Sequence, residues 1–280
     1  MLYQFFLNLL SYPFFRNALL TSILLSIVCA CLGQVLLLKH LSLASDAFSH
    51  SALTGVALGL ALGYNPTVIA IIVCIVASLL IEFFRYFFKS YAELAIAIIM
   101  SLCIGLAGIF SKYMPYSADL NSFLFGSIVS INNQDLVSIF VLCGVILIIF
   151  AYLYYPLYLV CLDARNAALL GINVKLLNCV FNILTAVCIA ACSHSAGTLI
   201  VSSLLVLPAA SAFVWKLSYF QTLLLAISFG IINTITSFFL AFILNWPTGG
   251  SLVIVSTLNL LLSLTIYQLI QHLPNNKQKV

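Results

Sequence analysis

Apolar runs of about twenty residues recur along the whole chain, and they constrain the fold more than any other feature. A run of that length, wound as a helix at 1.5 Å per residue, covers the roughly 30 Å of bilayer hydrocarbon. The runs fall at 17–38, 46–63, 66–84, 93–111, 136–158, 176–194, 198–215, 221–244 and 250–271. Composition leaves no soluble alternative. Charged side chains are 6% of the 280 residues and hydrophobic ones 64%, whereas a soluble domain carries roughly 25% charged residues. The expected fold class is an all-α polytopic membrane protein, a bundle of 8–9 transmembrane helices. Nine is favoured, and the tight joint at Asn65-Pro66 is where the count would fall to eight.

Lys and Arg set the orientation, because they concentrate in cytoplasmic loops. Lys39, Arg85, Lys89, Arg165, Lys175, Lys216, Lys277 and Lys279 alternate onto one side; only Arg16 and Lys112 go against it. The N-terminus is therefore expected outside and the C-terminus inside, with Asn65, the loop 112–135, the turn Ser193–Gly197 and the turn Asn245–Gly250 on the outer face. Residues 1–272 form a single transmembrane domain in this reading. Within it, 1–15 is an aromatic interfacial segment and 159–175 a cytoplasmic loop; 273–280 is a short cytoplasmic tail. The first charge is Arg16, so the start does not read as a cleavable signal.

Several function classes are excluded. The net charge of +4 is small and dispersed, unlike the basic stripe a nucleic-acid surface needs. No GxxxxGK[ST] loop occurs, so this chain does not bind and hydrolyse ATP by that route, and neither HExxH nor GxSxG is present. The 9 cysteines form no CxxC pair. Cys188 and Cys192 are one helical turn apart, as in a soft metal site, but cysteine is also a common small residue of buried helices.

Polar groups inside the runs are the candidates for chemistry, since an ionisable side chain at membrane depth costs about 2.5–3.5 kcal/mol on insertion scales. Asp46 and His50 lie four residues apart, so they share a helix face, and Thr54 continues the row. A carboxylate with an imidazole suits a divalent zinc, manganese or iron ion. The alternative is that Asp46 caps the helix and His50 is a satisfied polar group. Small residues at Ala47, Ser51, Gly55, Gly59 and Gly63 form a stripe that lets helices pack closely. The stretch VCLDARNAALLGINVKL, 159–175, reads as a short helix ending near Gly171, either a docking element or a plain connector. His194 in the outer turn and Asp119 in the loop are lesser candidates for guiding a cation, and FLFGSIV in that loop has a re-entrant pattern. Glu82 with Arg85, and Lys89 with Glu93, are spaced as interfacial ion pairs without chemistry.

Seven stretches taken together resemble the membrane permease of bacterial ABC importers for zinc, manganese or iron. They are FFRNAL, LKHLSLASDAFSHSALTGVALG, NPTVIA, ADLNSFLFGSIVSINNQDL, LDARNAALLGINV, GTLIVSSLLVLPAASA and NWPTGGSLVIV, in family order over nearly the whole chain. The resemblance implies a multi-pass protein of the bacterial inner membrane that is not itself an enzyme. Its partners would be a cytoplasmic ABC ATPase subunit, an extracytoplasmic metal-binding protein, a second permease copy (homodimer or close paralogue) and membrane lipid. It implies no permanently bound cofactor, the divalent metal being transported substrate. Asp46 and His50 would contact that metal, and the loop with Asp163, Ala167, Ala168 and Gly171 would be the ATPase-coupling helix. Where many relatives carry an acid before the proline of the last outer turn, this chain has Asn245, which could act only as a neutral carbonyl ligand. The rival readings are a secondary transporter driven by an ion gradient, an intramembrane metalloenzyme drawing on Cys188, Cys192 or His194, and a purely structural subunit.

Overall fold

The computed structural model describes residues 13–88, 91–114 and 133–272, and within them of His194 only the backbone. Asp119, the FLFGSIV stretch, Lys89, residues 1–12 and the tail 273–280 lie outside the described residues.

The described chain is helical: α1 (Pro13–Leu38), α2 (Ser42–Leu62), α3 (Pro66–Phe87), α4 (Ala92–Ser111), α5 (Asn133–Leu162), α6 (Ala164–Leu169), α7 (Val174–Ala196), α8 (Thr198–Phe213), α9 (Tyr219–Leu244) and α10 (Thr248–His272). Seven of these are long and apolar enough to cross a membrane; α2 and α8 coincide with the two remaining runs. Helix ends differ from the apolar runs where polar residues continue the backbone ladder. The run 46–63 is part of a helix that begins at Ser42, and the run 136–158 lies in one that extends from Asn133 to Leu162. Hydropathy marks the lipid-compatible stretch, whereas the helix ends follow backbone hydrogen bonding.

Helix α2 is central. It packs most extensively on α3 and α4 and also touches α7 and α8. Its small-residue stripe makes the α3 contact: a Cβ on Gly55 would stand 2.4 Å from Ala70 Cα, and one on Gly59 2.9 Å from Pro66 Cα. Ser51 faces Cys103 of α4, Oγ to Sγ 3.2 Å. Gly63 does not extend this contact, because nothing lies near its Cβ position. It closes α2 in the left-handed conformation, φ 73°, with its N–H directed to the carbonyls of Gly59 and Leu60. A second close approach joins α1 to α8, where a Cβ on Gly33 would stand 1.7 Å from the Leu205 carbonyl oxygen.

The turn between α7 and α8 is packed: Ser193 and Thr198 are buried, as is Ile200, and α8 is short, with 16 residues. Four cysteines from three helices, Cys29, Cys143, Cys188 and Cys192, meet as buried thiols. They pack as small core residues, and all are free thiols.

At the other end of the bundle, polar side chains tie α1, α3 and α7 together. Arg85 pairs with Glu82 at 2.9 Å, and Asn182 Nδ2 donates to the same carboxylate at 3.0 Å. Lys39, just past α1, donates to Asn178 Oδ1 at 2.8 Å and stands 4.8 Å from the Phe181 ring centre. Burial pushes its ammonium down to about 8 from the ordinary 10.5, with smaller contributions from Cys161, Arg85 and Glu82. The unfolded chain therefore holds the extra proton between pH 8 and 10.5, and this group's contribution makes stability rise with pH through that window. In detergent, wild-type protein is expected to gain thermal stability over Lys39→Met as pH rises from 8 toward 10.5. A constant difference between the two across that range would show that Lys39 is not held this way.

Candidate metal-handling site

Ser42 opens α2 and Leu41 occupies the cap position, with no side-chain cap hydrogen bond. Asp46 therefore sits in the second turn, and the capping explanation for its carboxylate fails. Asp46 is exposed and His50 half-buried, and the two interact electrostatically along one face of the helix. Ser202 of α8 completes the local arrangement with a side-chain hydrogen bond to Asp46. One turn away, Ser49 Oγ donates to the Thr198 carbonyl at 3.5 Å, which helps to hold the start of α8 against α2. Ser202 lies in the second turn of α8, four residues after its start at Thr198.

The row stops at His50. Thr54 is buried, and its hydroxyl lies between the carbonyl oxygens of His50 (2.8 Å) and Cys103 (2.7 Å), bridging α2 and α4. Leu43 is 47% exposed on the same face as Asp46 and His50, so the pair looks out from an otherwise packed helix. Among the described residues no three or more His, Cys, Asp or Glu side chains converge on a point that could hold a metal. The four-thiol cluster is no exception. The chemistry available is a two-ligand set, one carboxylate oxygen and one imidazole nitrogen, with a serine hydroxyl beside it. Such an incomplete set leaves coordination positions for water or for another chain, and it suits transient passage better than storage.

Of the other sequence candidates, Asp119 and the His194 side chain lie outside what is described. Asn245 is the exposed residue that closes α9, at φ 52°, with its N–H bonded to the Ala241 carbonyl. Asparagine tolerates that left-handed conformation, so the turn accounts for its presence. Ser202 had no signal of its own in the sequence. Serines in apolar helices commonly bond their own backbone, as Ser203 does to the Ile200 carbonyl at 2.9 Å, and only proximity to Asp46 separates one from the other.

The loop 159–175 contracts to α6 and its flanks. Asp163 is its cap, accepting from the N–H groups of Arg165 at 2.8 Å and Asn166 at 3.4 Å, and Gly171 turns the chain at φ 86°. Both residues shape the element. Ala167 is 1% exposed and packs inward, so it offers no contact surface. Asp163 to Asn166 and Ala168 are exposed, and the large apolar side chains exposed at the end of the element are two that the sequence reading passed over, Leu169 at 85% and Leu170 at 69%. Two consecutive exposed leucines, the last residue of α6 and its cap, form an apolar tip.

Comparison with known proteins agrees with this architecture. Residues 11–267 match the ABC 3 transport family. The chain is 30% identical over 260 residues to a "Probable metal transport system membrane protein" of Treponema pallidum (strain Nichols), covering 93% of this chain and 98% of that one. It is 31% identical over 266 residues to "Manganese import system permease protein ScaB" of Streptococcus parasanguinis, covering 95% of each. It is 29% identical to "Chelated iron transport system membrane protein YfeC" of Yersinia pestis, over 90% of this chain and 87% of that one. Among solved structures, "PsaBC from Streptococcus pneumoniae in complex with Fab" superposes with a TM-score of 0.83 at 26% identity, covering 97% of this chain and 100% of that chain. An inward-facing putative metal-chelate type ABC transporter shares the fold, with a TM-score of 0.67 at 19% identity over 92% of this chain and 85% of that chain.

Proposed function

The chain belongs to the ABC 3 transport family of multi-pass membrane permeases, and from that membership we propose that it imports a divalent transition-metal cation, manganese or iron ahead of zinc. Asp46 and His50 are the side chains that meet the ion. The observation that carries this reading is a carboxylate and an imidazole left open together on a helix whose other faces are packed. An exposed carboxylate would be costly against lipid, so the face bearing the pair is covered by a second permease copy, and the ion passes between the two. Carboxylate and imidazole both suit manganese and iron, and no thiol joins the pair to favour zinc.

Orientation follows the positive residues: nine crossings, N-terminus outside, with α6 on the cytoplasmic side. A separate ATPase subunit supplies the energy and an extracytoplasmic metal-binding protein delivers the ion. The tip Leu169–Leu170 seats in the ATPase, while Asp163 and Gly171 give α6 its shape. Leu169→Asp with Leu170→Asp is expected to leave the permease in the membrane but cut ATP-driven uptake at least about tenfold, as desolvating two charges in an apolar seat would. Unchanged uptake in that variant would remove α6 from the coupling path.

The experiment that tests the reading is reconstitution. Proteoliposomes holding the permease with its ATPase and binding protein are expected to accumulate manganese only when ATP is supplied. Gradient-driven accumulation by the permease alone would instead make it a secondary transporter.

A further inference from the structure

The end of the bundle that carries Lys39 and Lys216 encloses a cavity of about 160 Å³ between α1, α5, α8 and α9. It shares no residue with the Asp46–His50 face, and its wall includes Gln34, Tyr158, Phe213, Leu217 and Tyr219. Gln34 is 1% exposed. Its Nε2 donates to the Tyr219 carbonyl oxygen at 2.8 Å, which fixes the amide and leaves Oε1 buried without a partner. The Tyr219 hydroxyl is buried without a partner as well. Its ring is braced by Tyr154 and Tyr158, at 5.4 Å and 5.0 Å between centres.

A buried amide oxygen without a donor is costly, so an occupant is expected to supply one. Water alone fits poorly. About five waters would fill the space at roughly 30 Å³ each, and each needs two to four polar partners. The wall is mostly leucine, phenylalanine and tyrosine ring, and it offers few. The shape and chemistry suit a short carbon chain bearing hydroxyl groups: one donates to Gln34 Oε1, and Tyr219 pairs with another. Charge at the rim identifies what the carbon chain is attached to. Leu217 follows Lys216, which is exposed and, among the described residues, pairs with no carboxylate; its ammonium stands 5.9 Å from the Tyr267 ring centre. Asp163, near the same rim, is turned to the backbone of α6. One exposed lysine next to a wall residue, at the end of a helix bundle, favours an anionic phosphate over a neutral headgroup.

We propose that this cavity holds the glycerol headgroup of an anionic phospholipid, with a headgroup hydroxyl on Gln34 Oε1 and the phosphate beside Lys216. The site is independent of the transport reading.

The test is native mass spectrometry of the full delipidated chain, titrated with short-chain phosphatidylglycerol, phosphatidic acid or phosphatidylcholine. Phosphatidylglycerol is expected to bind at least about fivefold more tightly than either of the others, the worth of one hydrogen bond. Gln34→Leu and Tyr219→Phe should each remove that preference, and Lys216→Ala should weaken phosphatidylglycerol and phosphatidic acid alike. Thermal unfolding and circular dichroism of each variant serve as the folding control. Equal binding of phosphatidylglycerol and phosphatidic acid, unaltered in Gln34→Leu, would overturn the headgroup assignment. Absence of any bound lipid sensitive to Gln34 or Lys216 would leave a hydrated cavity and overturn the proposal as a whole.

Discussion

Asp46→Ala and His50→Ala permeases are expected to lose metal uptake by roughly 100-fold or more while reaching the membrane at wild-type levels. Substitution of mere outer partners of metal ligands costs about 10–100-fold in affinity, so removal of one ligand from a two-ligand set should exceed that. The fold should tolerate both changes. Asp46 caps nothing, it is exposed, and the contacts that hold α2 in place come from Gly55, Gly59 and Ser51 on other faces and from Thr54 two turns further on. Cellular manganese measured by elemental analysis, set against permease abundance by immunoblot, separates the two effects. Wild-type accumulation in either variant would remove that side chain from the pathway.

The second large effect concerns assembly. Gly33→Ala places a methyl group 1.7 Å from the Leu205 carbonyl oxygen, and Gly55→Ala places one 2.4 Å from Ala70 Cα. Both obstacles are backbone, so α1 must move from α8, or α2 from α3. Overpacking that side chains can absorb costs about 1–3 kcal/mol; these two changes should cost at least that. Gly105→Ala is the control, because nothing lies within 4 Å of its Cβ position, and an alanine there has the better helix propensity. Thermal unfolding in detergent should show Gly33→Ala and Gly55→Ala melting well below wild type, with Gly105→Ala unchanged or slightly higher. Equal melting of all four proteins would mean that the helices do not approach at these glycines.

Much of this was legible in the sequence for a simple reason: in a membrane the solvent imposes length and hydropathy on every spanning helix. The helices coincide with the apolar runs, and the small-residue stripe marks the α2–α3 contact down to Gly59. The misses share a physical origin. Hydropathy marks the turn before α8 but does not register that Ser193 and Thr198 are buried in it. Gly63 continued the spacing of the stripe yet serves as a helix cap, because a glycine in sequence does not say whether it gives room or conformation. Ser202 could be found only in three dimensions. The inward side of α6 took Ala167, and the leucines that follow, ordinary in so apolar a chain, proved to be its exposed surface. Asp46 and His50 were legible because a carboxylate and an imidazole are rare in this chain and their four-residue spacing fixes a shared face.

The two halves of the account fit one physical scheme. Close packing of α1 on α8 and of α2 on α3 and α4 rests on glycine and hydroxyl groups, while the open acid–imidazole pair is the proposed contact for the ion. An incomplete ligand set on a rigid helix lets an ion enter and leave, while the leucine tip of α6 offers a lever at a distance. The claim on which this rests is that a divalent cation in transit touches His50. Pulsed electron paramagnetic resonance of manganese(II) trapped in the purified permease–ATPase complex tests it directly. The expected spectrum carries an imidazole nitrogen coupling that is present in wild type and in His40→Ala and lost in His50→Ala. A nitrogen coupling that survives His50→Ala, or none in the wild-type complex, would contradict the account.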